Sequence, residues 1–142
     1  MTRGEAWLHH AANLLVGGSG LAYGWMLYLV PEDPFSMANH PLQPEVQALH
    51  ILSAPLLVLG LGLIWRNHVW LRFRRKYPFR RKTGITLMLL ALPMVGSGYL
   101  LQVTADELWH LVWIWIHGLS SSLWILIYLV HQFTRPTPRA KT

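Results

Sequence analysis

The sequence predicts an all-α membrane protein, a four-transmembrane-helix antiparallel bundle with both termini on the cytoplasmic side. The chain of 142 residues is 53% hydrophobic and only 13% charged, which leaves too few polar residues to cover a soluble globule. Four long apolar segments divide it. The basic residues lie only near the chain ends and near the connection between the second and third segments.

The four apolar segments cover residues 7–30, 46–71, 84–103 and 107–133. Each reaches the roughly 20 residues that a helix needs to cross a hydrocarbon core about 30 Å thick. Their connections are short, so neighbouring helices should run antiparallel within a single domain, residues 1–142. The first segment is too long for the apolar region of a signal peptide, and no cleavage-like site follows it. We find no internal repeat in the sequence.

Charge predicts the orientation of the bundle. The loops 31–45 and 104–107 contain no Lys or Arg, whereas the opposite connection and the tail are rich in both. By the positive-inside rule, the termini and the basic connection are cytoplasmic, as expected for a multi-pass protein of the bacterial inner membrane. The basic cluster suits anionic lipid headgroups, and nucleic acid is not expected as a partner. The residues concerned include Lys76, Arg80, Arg135, Arg139 and Lys141 on the basic side and Glu32, Asp33, Glu45, Asp106 and Glu107 on the acidic side.

Histidines are the most informative residues within the apolar segments. His117 and His131 are fourteen residues apart, so on one helix their rings point to nearly the same side, roughly 21 Å apart. Ionisable side chains inside a membrane are expensive and usually mark function. Two layers follow from the topology: an outer layer of His50 with His117 (or His110), and an inner layer with His131.

The partner of His131 in the inner layer is His10 or its neighbour His9, with His68 close by. Two imidazoles at one depth on facing helices are what axial ligation of a haem iron requires. The chain has no cysteine, which excludes iron–sulfur ligation, thiolate zinc sites and covalent haem attachment. The layers therefore predict two non-covalent haems.

Small and aromatic residues surround these positions. Gly17 and Gly24 continue the His10 stripe at seven-residue steps, and glycine there admits either a flat macrocycle or another helix. Gly96 and Gly98, on either side of Ser97, predict close packing in the third segment. On the fourth segment, small and aromatic side chains lie between the two histidines and could line a cofactor site; they are Ser120, Ser121, Trp124 and Tyr128.

With these histidines, residues 6–133 resemble the di-haem, four-helix cytochrome b subunits of membrane-bound formate dehydrogenases and nickel–iron hydrogenases. The resemblance implies ligands at His10, His50, His117 and His131. In the hydrogenase branch, helix one carries His, Asn three residues later and Gly fourteen residues later, as His10, Asn13 and Gly24 do here. Ala11 departs from the Trp that often follows the first ligand. His68, followed by Trp70, is similar to ligands of other small membrane cytochromes and is the alternative inner ligand.

The expected function is that of an electron-transfer subunit rather than an enzyme by itself. Two b haems would pass electrons between a quinone pool and a partner redox protein, with the quinone near His10 and His131, where Asn13 or Gln132 could hydrogen-bond to it. The acidic, proline-rich loop 31–45 is the expected cover of the outer haem or docking surface for a periplasmic cytochrome c or iron–sulfur subunit. The alternatives are a haem-free structural or assembly subunit, and an ion or proton pathway. The pathway is disfavoured because the helix interiors lack Asp and Glu.

Overall fold

The computed structural model describes residues 2–32, 34–75 and 79–134. All regular structure in these ranges is helical, and they contain no strand, so the predicted all-α class is confirmed. Asp33, Lys76, Arg135, Arg139 and Lys141, which contribute to the predicted orientation, lie outside the described residues. The elements are α1 (Arg3–Tyr28), α2 (Gln43–Ile64), a π-helical segment (Trp65–Trp70), α3 (Leu71–Arg74), α4 (Arg81–Val103) and α5 (Glu107–Phe133).

Two compact units make up the chain, Met1–His68 and Val69–Thr142. In the first unit α1 packs against α2, and we call this pair the first hairpin. In the second unit α4 packs against α5, the second hairpin, and α3 touches α4. The helices of each hairpin are antiparallel.

Side chains fix the start of α1 and the connection between α1 and α2. Thr2 and Glu5 form a capping box at the start of α1, in which the Glu5 amide donates to Thr2 Oγ1 at 3.2 Å and the Thr2 amide donates to Glu5 Oε2 at 2.7 Å. Asn39 bridges the two helices, since its side-chain amide donates to the Leu27 carbonyl at 3.1 Å and its backbone amide donates to Gln43 Oε1 at 3.0 Å. The two bonds of Asn39 close the loop between α1 and α2.

The second hairpin is closed at both of its ends. Asp106 is the N-cap of α5 and accepts a hydrogen bond from the Trp109 amide at 2.9 Å. At the other end, Arg80 precedes α4 with a left-handed φ of 55°. Its guanidinium donates to the Gln132 carbonyl at 2.7 Å and to the Thr134 carbonyl at 2.9 and 2.5 Å, so Arg80 caps the C-terminus of α5 from the start of α4.

Helix boundaries follow these caps. The segment predicted at 107–133 has the same bounds as α5, whereas α1, α2 and α4 begin three or four residues before the predicted apolar segments. The first turn of each of these helices consists largely of polar residues, which precede the apolar segment but are already helical. The segment predicted at 46–71 passes through the π-helical segment and ends at Leu71, the first residue of α3, whereas the helix continues to Arg74.

The surface composition of the helices is that of a membrane protein. α2, α4 and α5 are each long and apolar enough to cross a membrane. α1 has 26 residues but is not as apolar as these three helices, because glycine, serine, histidine and asparagine interrupt its apolar residues. Large apolar side chains face outward, among them Leu14, Leu52 and Leu92, which are 79%, 77% and 80% exposed. Small residues are frequent among the buried ones, which include Ala12, Gly60 and four serines, as at transmembrane helix contacts.

Candidate functional site

His50 of α2 packs against a Ser–Gly pair of α1. A Cβ built on Gly20 would lie 2.8 Å from His50 Cε1, so only glycine lets the ring come this close. The Nδ1 atom of His50 lies 3.0 Å from the Val16 carbonyl oxygen and 3.3 Å from Ser19 Oγ. Because a carbonyl oxygen can only accept, Nδ1 carries the proton and donates it across the hairpin.

The hydroxyl of Ser19 has its own proton already engaged. It lies 2.7 Å from the Leu15 carbonyl and 3.1 Å from the Val16 carbonyl of the preceding turn, to which it donates. Towards His50 it therefore presents a lone pair and serves as a second acceptor for Nδ1–H. With the proton on Nδ1, the neutral ring has its lone pair on Nε2, the form required of a metal ligand at that nitrogen.

His117 of α5 has the same surroundings in the second hairpin. Its Nδ1 lies 3.0 Å from the Met94 carbonyl oxygen and 3.4 Å from Ser97 Oγ. The Ser97 hydroxyl in turn donates to the Pro93 carbonyl, and Ser97 is only 2% exposed. A Cβ on Gly98 would lie 3.1 Å from His117 Cε1. On the other nitrogen, Ser121 Oγ lies 3.5 Å from Nε2, a long contact within the helix.

The two hairpins therefore share a motif, and the expectation that the sequence contains no internal repeat is wrong at this short scale. Gly-Ser-Gly occurs at 18–20 and 96–98, and His-x-Leu-Ser occurs at 50–53 and 117–120. Ser53 and Ser120 each bond the carbonyl of their own histidine, at 3.2 and 3.3 Å. The connection is 14 residues long in the first hairpin and 3 in the second. This difference accounts for the unequal serine–histidine separations of 31 and 20 residues.

His131 lies at the opposite end of the second hairpin from His117. Its Nδ1 is 2.8 Å from Thr83 Oγ1, and the Thr83 hydroxyl is also 3.1 Å from the Arg80 carbonyl. Donation from Thr83 to that carbonyl leaves Oγ1 to accept from Nδ1–H, as at the two serines. A Cβ on Gly84 would be 3.6 Å from His131 Cε1, an ordinary contact. A hydroxyl residue followed by glycine thus faces three of the histidines.

His9 is the buried histidine at the corresponding end of the first hairpin. It is 7% exposed, and its Nδ1 lies 3.3 Å from the position of a Cβ on Gly60. The side-chain amide of Asn13 lies 3.1 Å from His9 Nε2 and donates to the His9 carbonyl at 2.8 Å. His10, the inner ligand expected from the resemblance, is half-buried and makes an edge contact with Trp7 at 6.4 Å between ring centroids. Asn13 therefore pairs with His9.

The remaining predicted positions have different surroundings. His68 is half-buried in the π-helical segment, and His110 is half-buried near the start of α5, with its Nδ1 3.4 Å from the Thr104 carbonyl. A Cβ on Gly24 or Gly96 would meet no described atom within 4 Å, so neither is a contact glycine within the described residues. Gly17 is half-buried in α1, but Gly20 is the residue of that helix that meets His50.

Among the described residues, no group of three or more His, Cys, Asp or Glu is placed to hold a metal ion. A haem iron, whose equatorial ligands come from the macrocycle, needs only two imidazoles. Comparison of this chain with protein-family models, with curated proteins and with solved structures found no match.

Proposed function

We propose that the chain is a membrane-embedded b-type cytochrome subunit that passes electrons across the bilayer through two haems, between a quinone pool and a partner redox protein. One observation carries the proposal. In both hairpins a histidine donates its Nδ1 proton across to a backbone carbonyl at 3.0 Å, which leaves Nε2 as the ligating nitrogen. Haem-ligating histidines are held in this way by hydrogen bonds of their other ring nitrogen.

The residues around His50 and His117 fit such a ligand in two respects. The hydrogen bonds at Nδ1 fix the ring orientation and raise the basicity of Nε2. The glycines that face the rings, Gly20 and Gly98, bring the helices close without a side chain in between. When bound, haem supplies a reversible one-electron couple at its iron, and the protein's part is to bind, orient and tune it.

The ligand assignment follows the layers predicted from the sequence. His50 with His117 would serve the outer haem, and His131 with a histidine of the first hairpin would serve the inner one. For that last ligand we keep His10, with His9 and His68 as alternatives. His9 is the most buried of the three, but Asn13 would have to release Nε2 before that nitrogen could ligate.

The proposal includes four membrane spans in the bacterial inner membrane, with both termini cytoplasmic. With 26 residues, α1 would be about 39 Å long and could cross the bilayer. The charges of its first turn, Arg3 and Glu5, would lie at the cytoplasmic surface. The positive-inside rule then places the loop between α1 and α2 outside.

The partner and the quinone complete this proposal. A periplasmic cytochrome c or iron–sulfur subunit would dock on the outer loop, where Phe35 and Met37 are fully exposed. A quinone would bind at the cytoplasmic end, near His131. No described connection is long enough to hold a catalytic domain, which agrees with a subunit of a larger oxidoreductase.

The first test is a reduced-minus-oxidised spectrum with haem quantification on the purified chain expressed with sufficient haem. We expect about two b haems per chain, loss of one in His117→Ala, and retention of both in His110→Ala, the matched control on the same helix. Retention of both haems in His117→Ala would refute the ligand assignment. A well-folded wild-type chain that takes up no haem when haem is supplied in excess would refute the function.

The same contacts also favour a second candidate, a haem-free structural or assembly subunit. Each histidine packs on a glycine and donates a hydrogen bond to a carbonyl of the facing helix. Such a contact holds two transmembrane helices together without any cofactor. This function predicts that the chain folds and assembles with its complex in haem-deficient cells. The cytochrome predicts that haem deficiency leaves the histidine sites empty and electron transfer lost.

A further inference from the structure

We infer that Ser19 and Ser97 are equivalent positioning residues that set the donor strength of His50 and His117 as ligands. The inference deepens the proposed function and rests on it. Its basis is that each serine lies against the Nδ1 atom of its histidine, at 3.3 Å in the first hairpin and 3.4 Å in the second. Two independent helix pairs thus build the same arrangement.

Each Nδ1–H has two acceptors, a carbonyl oxygen and a serine oxygen. The carbonyl contact, 3.0 Å in both hairpins, is the shorter and stronger branch of a bifurcated hydrogen bond. The serine contact is the weaker branch, but its direction is fixed. Because the hydroxyl proton of Ser19 is donated to a carbonyl of its own helix, the oxygen can only accept from the ring.

An acceptor at Nδ1–H increases the basicity of the opposite nitrogen and so its donation to a bound metal. Stronger donation favours the higher oxidation state of the metal. Ser19 and Ser97 should therefore shift the equilibrium of the bound metal towards the oxidised form, and by similar amounts, because their geometry is similar. Thr83 acts on His131 at the shorter distance of 2.8 Å, and its effect on the other haem should be larger.

The test on the haem-loaded chain is a redox titration of single alanine variants. We expect Ser19→Ala and Ser97→Ala each to change the equilibrium constant between the oxidised and reduced forms of one haem about threefold in favour of the reduced form. This is below the 10–100-fold range of outer-shell effects, because the carbonyl acceptor remains. The shifts should multiply in the double variant, and Ser19→Thr, which retains the hydroxyl, should restore the wild-type value. Thr83→Val should shift the other transition further.

Ser53 and Ser120 provide matched controls. Each is a buried serine in the same layer as its histidine, but it bonds the histidine's backbone carbonyl and not the ring. Ser53→Ala and Ser120→Ala should leave both redox transitions unchanged. Equal shifts in these controls and in Ser19→Ala would mean that any lost serine perturbs the fold, and would overturn the inference.

A second readout needs no haem. Nitrogen-15 NMR of the haem-free chain should show His50 and His117 with the proton on Nδ1, and Ser19→Ala should weaken the hydrogen bond of His50 alone. A proton on Nε2 in the wild-type chain would overturn the inference, as would a His50 signal unaffected by Ser19→Ala. If the chain takes up no haem, the proposed function fails and this measurement still decides the role of the serines. Haem uptake with unmoved transitions in the serine variants refutes only the inference.

Discussion

Alanine substitutions at the glycines test how closely the histidine rings approach the facing helices. A new Cβ would lie 2.8 Å from the His50 ring at Gly20, 3.1 Å from the His117 ring at Gly98 and 3.6 Å from the His131 ring at Gly84. The first distance requires movement, the second is tight, and the third is an ordinary contact. The decrease in the free energy of unfolding should therefore be largest for Gly20→Ala, smaller for Gly98→Ala and smallest for Gly84→Ala.

The size of the effect follows from three contributions. Overpacking typically destabilises by about 1–3 kcal/mol, and a weakened hydrogen bond between transmembrane helices adds about 0.6 kcal/mol. Replacing glycine within a helix acts in the opposite direction by about 0.5–1 kcal/mol. We expect Gly20→Ala to lower the free energy of unfolding by about 2 kcal/mol and Gly98→Ala by about 1 kcal/mol, with Gly84→Ala within about 0.5 kcal/mol of wild type.

The assay is equilibrium unfolding of the haem-free chain in mixed micelles, followed by circular dichroism. Gly18→Ala and Gly96→Ala are the controls, because each lies two residues from a contact glycine and a Cβ there would meet no described atom within 4 Å. They should be neutral or slightly stabilising. If Gly18→Ala destabilises as much as Gly20→Ala, or if Gly84→Ala is the most harmful, the close approach of the rings is not what restricts these positions.

Three further predictions concern the ends of the second hairpin and the orientation of the chain. Arg80→Met should destabilise the second hairpin by about 1–2 kcal/mol through loss of charged hydrogen bonds to the end of α5, and hydrogen exchange should accelerate in the last turn of α5 but not in its first. Asp106→Ala should lower the free energy of unfolding by about 1 kcal/mol, while Asp106→Asn, which keeps an acceptor, should be near wild type in the same denaturation assay. Since the chain has no cysteine, Ser36→Cys and Arg81→Cys provide single labelling sites, and an impermeant thiol reagent added to intact cells should modify only the first; labelling of Arg81→Cys alone would reverse the proposed orientation.

Much of the fold could be predicted from composition, because apolar segments of membrane length have few alternatives to helix. The ends of the helices were harder to predict. The capping box formed by Thr2 and Glu5 is visible in the sequence as a Thr-x-x-Glu pattern, but it precedes the apolar segment, and hydropathy alone therefore predicts a later start for α1. The π-helical segment at Trp65–Trp70 has no comparable pattern.

The candidate site was predicted as a set of histidines but not as a set of contacts. Helical periodicity says which residues share a face of one helix, and it led to Gly17 and Gly24 as the glycines beside His10. The relative register of two helices is set by packing and loop closure, and it brings Gly20 to His50 instead. The repeated Gly-Ser-Gly was the signal that would have indicated this, had it been paired with the repeated His-x-Leu-Ser.

The choice between His9 and His10 shows the same limit. Adjacent residues on a helix point about 100° apart, so only one of the two can face α2. The resemblance to known cytochromes favours His10 through the spacing to Asn13, whereas the structure buries His9 against Gly60 and joins it to Asn13. Spacing within one helix could not separate these two possibilities.

The second hairpin fixes the distance between its two histidine sites. Thr83 and Ser97 are fourteen residues apart on α4, as are His131 and His117 on α5, so both contacts form in one register only. A single residue inserted between the two histidines would turn one ring by about 100° and shift it by about 1.5 Å relative to the other. Both contacts are kept only if the spacing returns the side chains to the same face of α4 and of α5. Such spacings are near eleven, fourteen or eighteen residues, or about 16, 21 and 27 Å. The separation of the two histidine sites can therefore change during evolution only in steps of several ångströms, and only when α4 and α5 change length together.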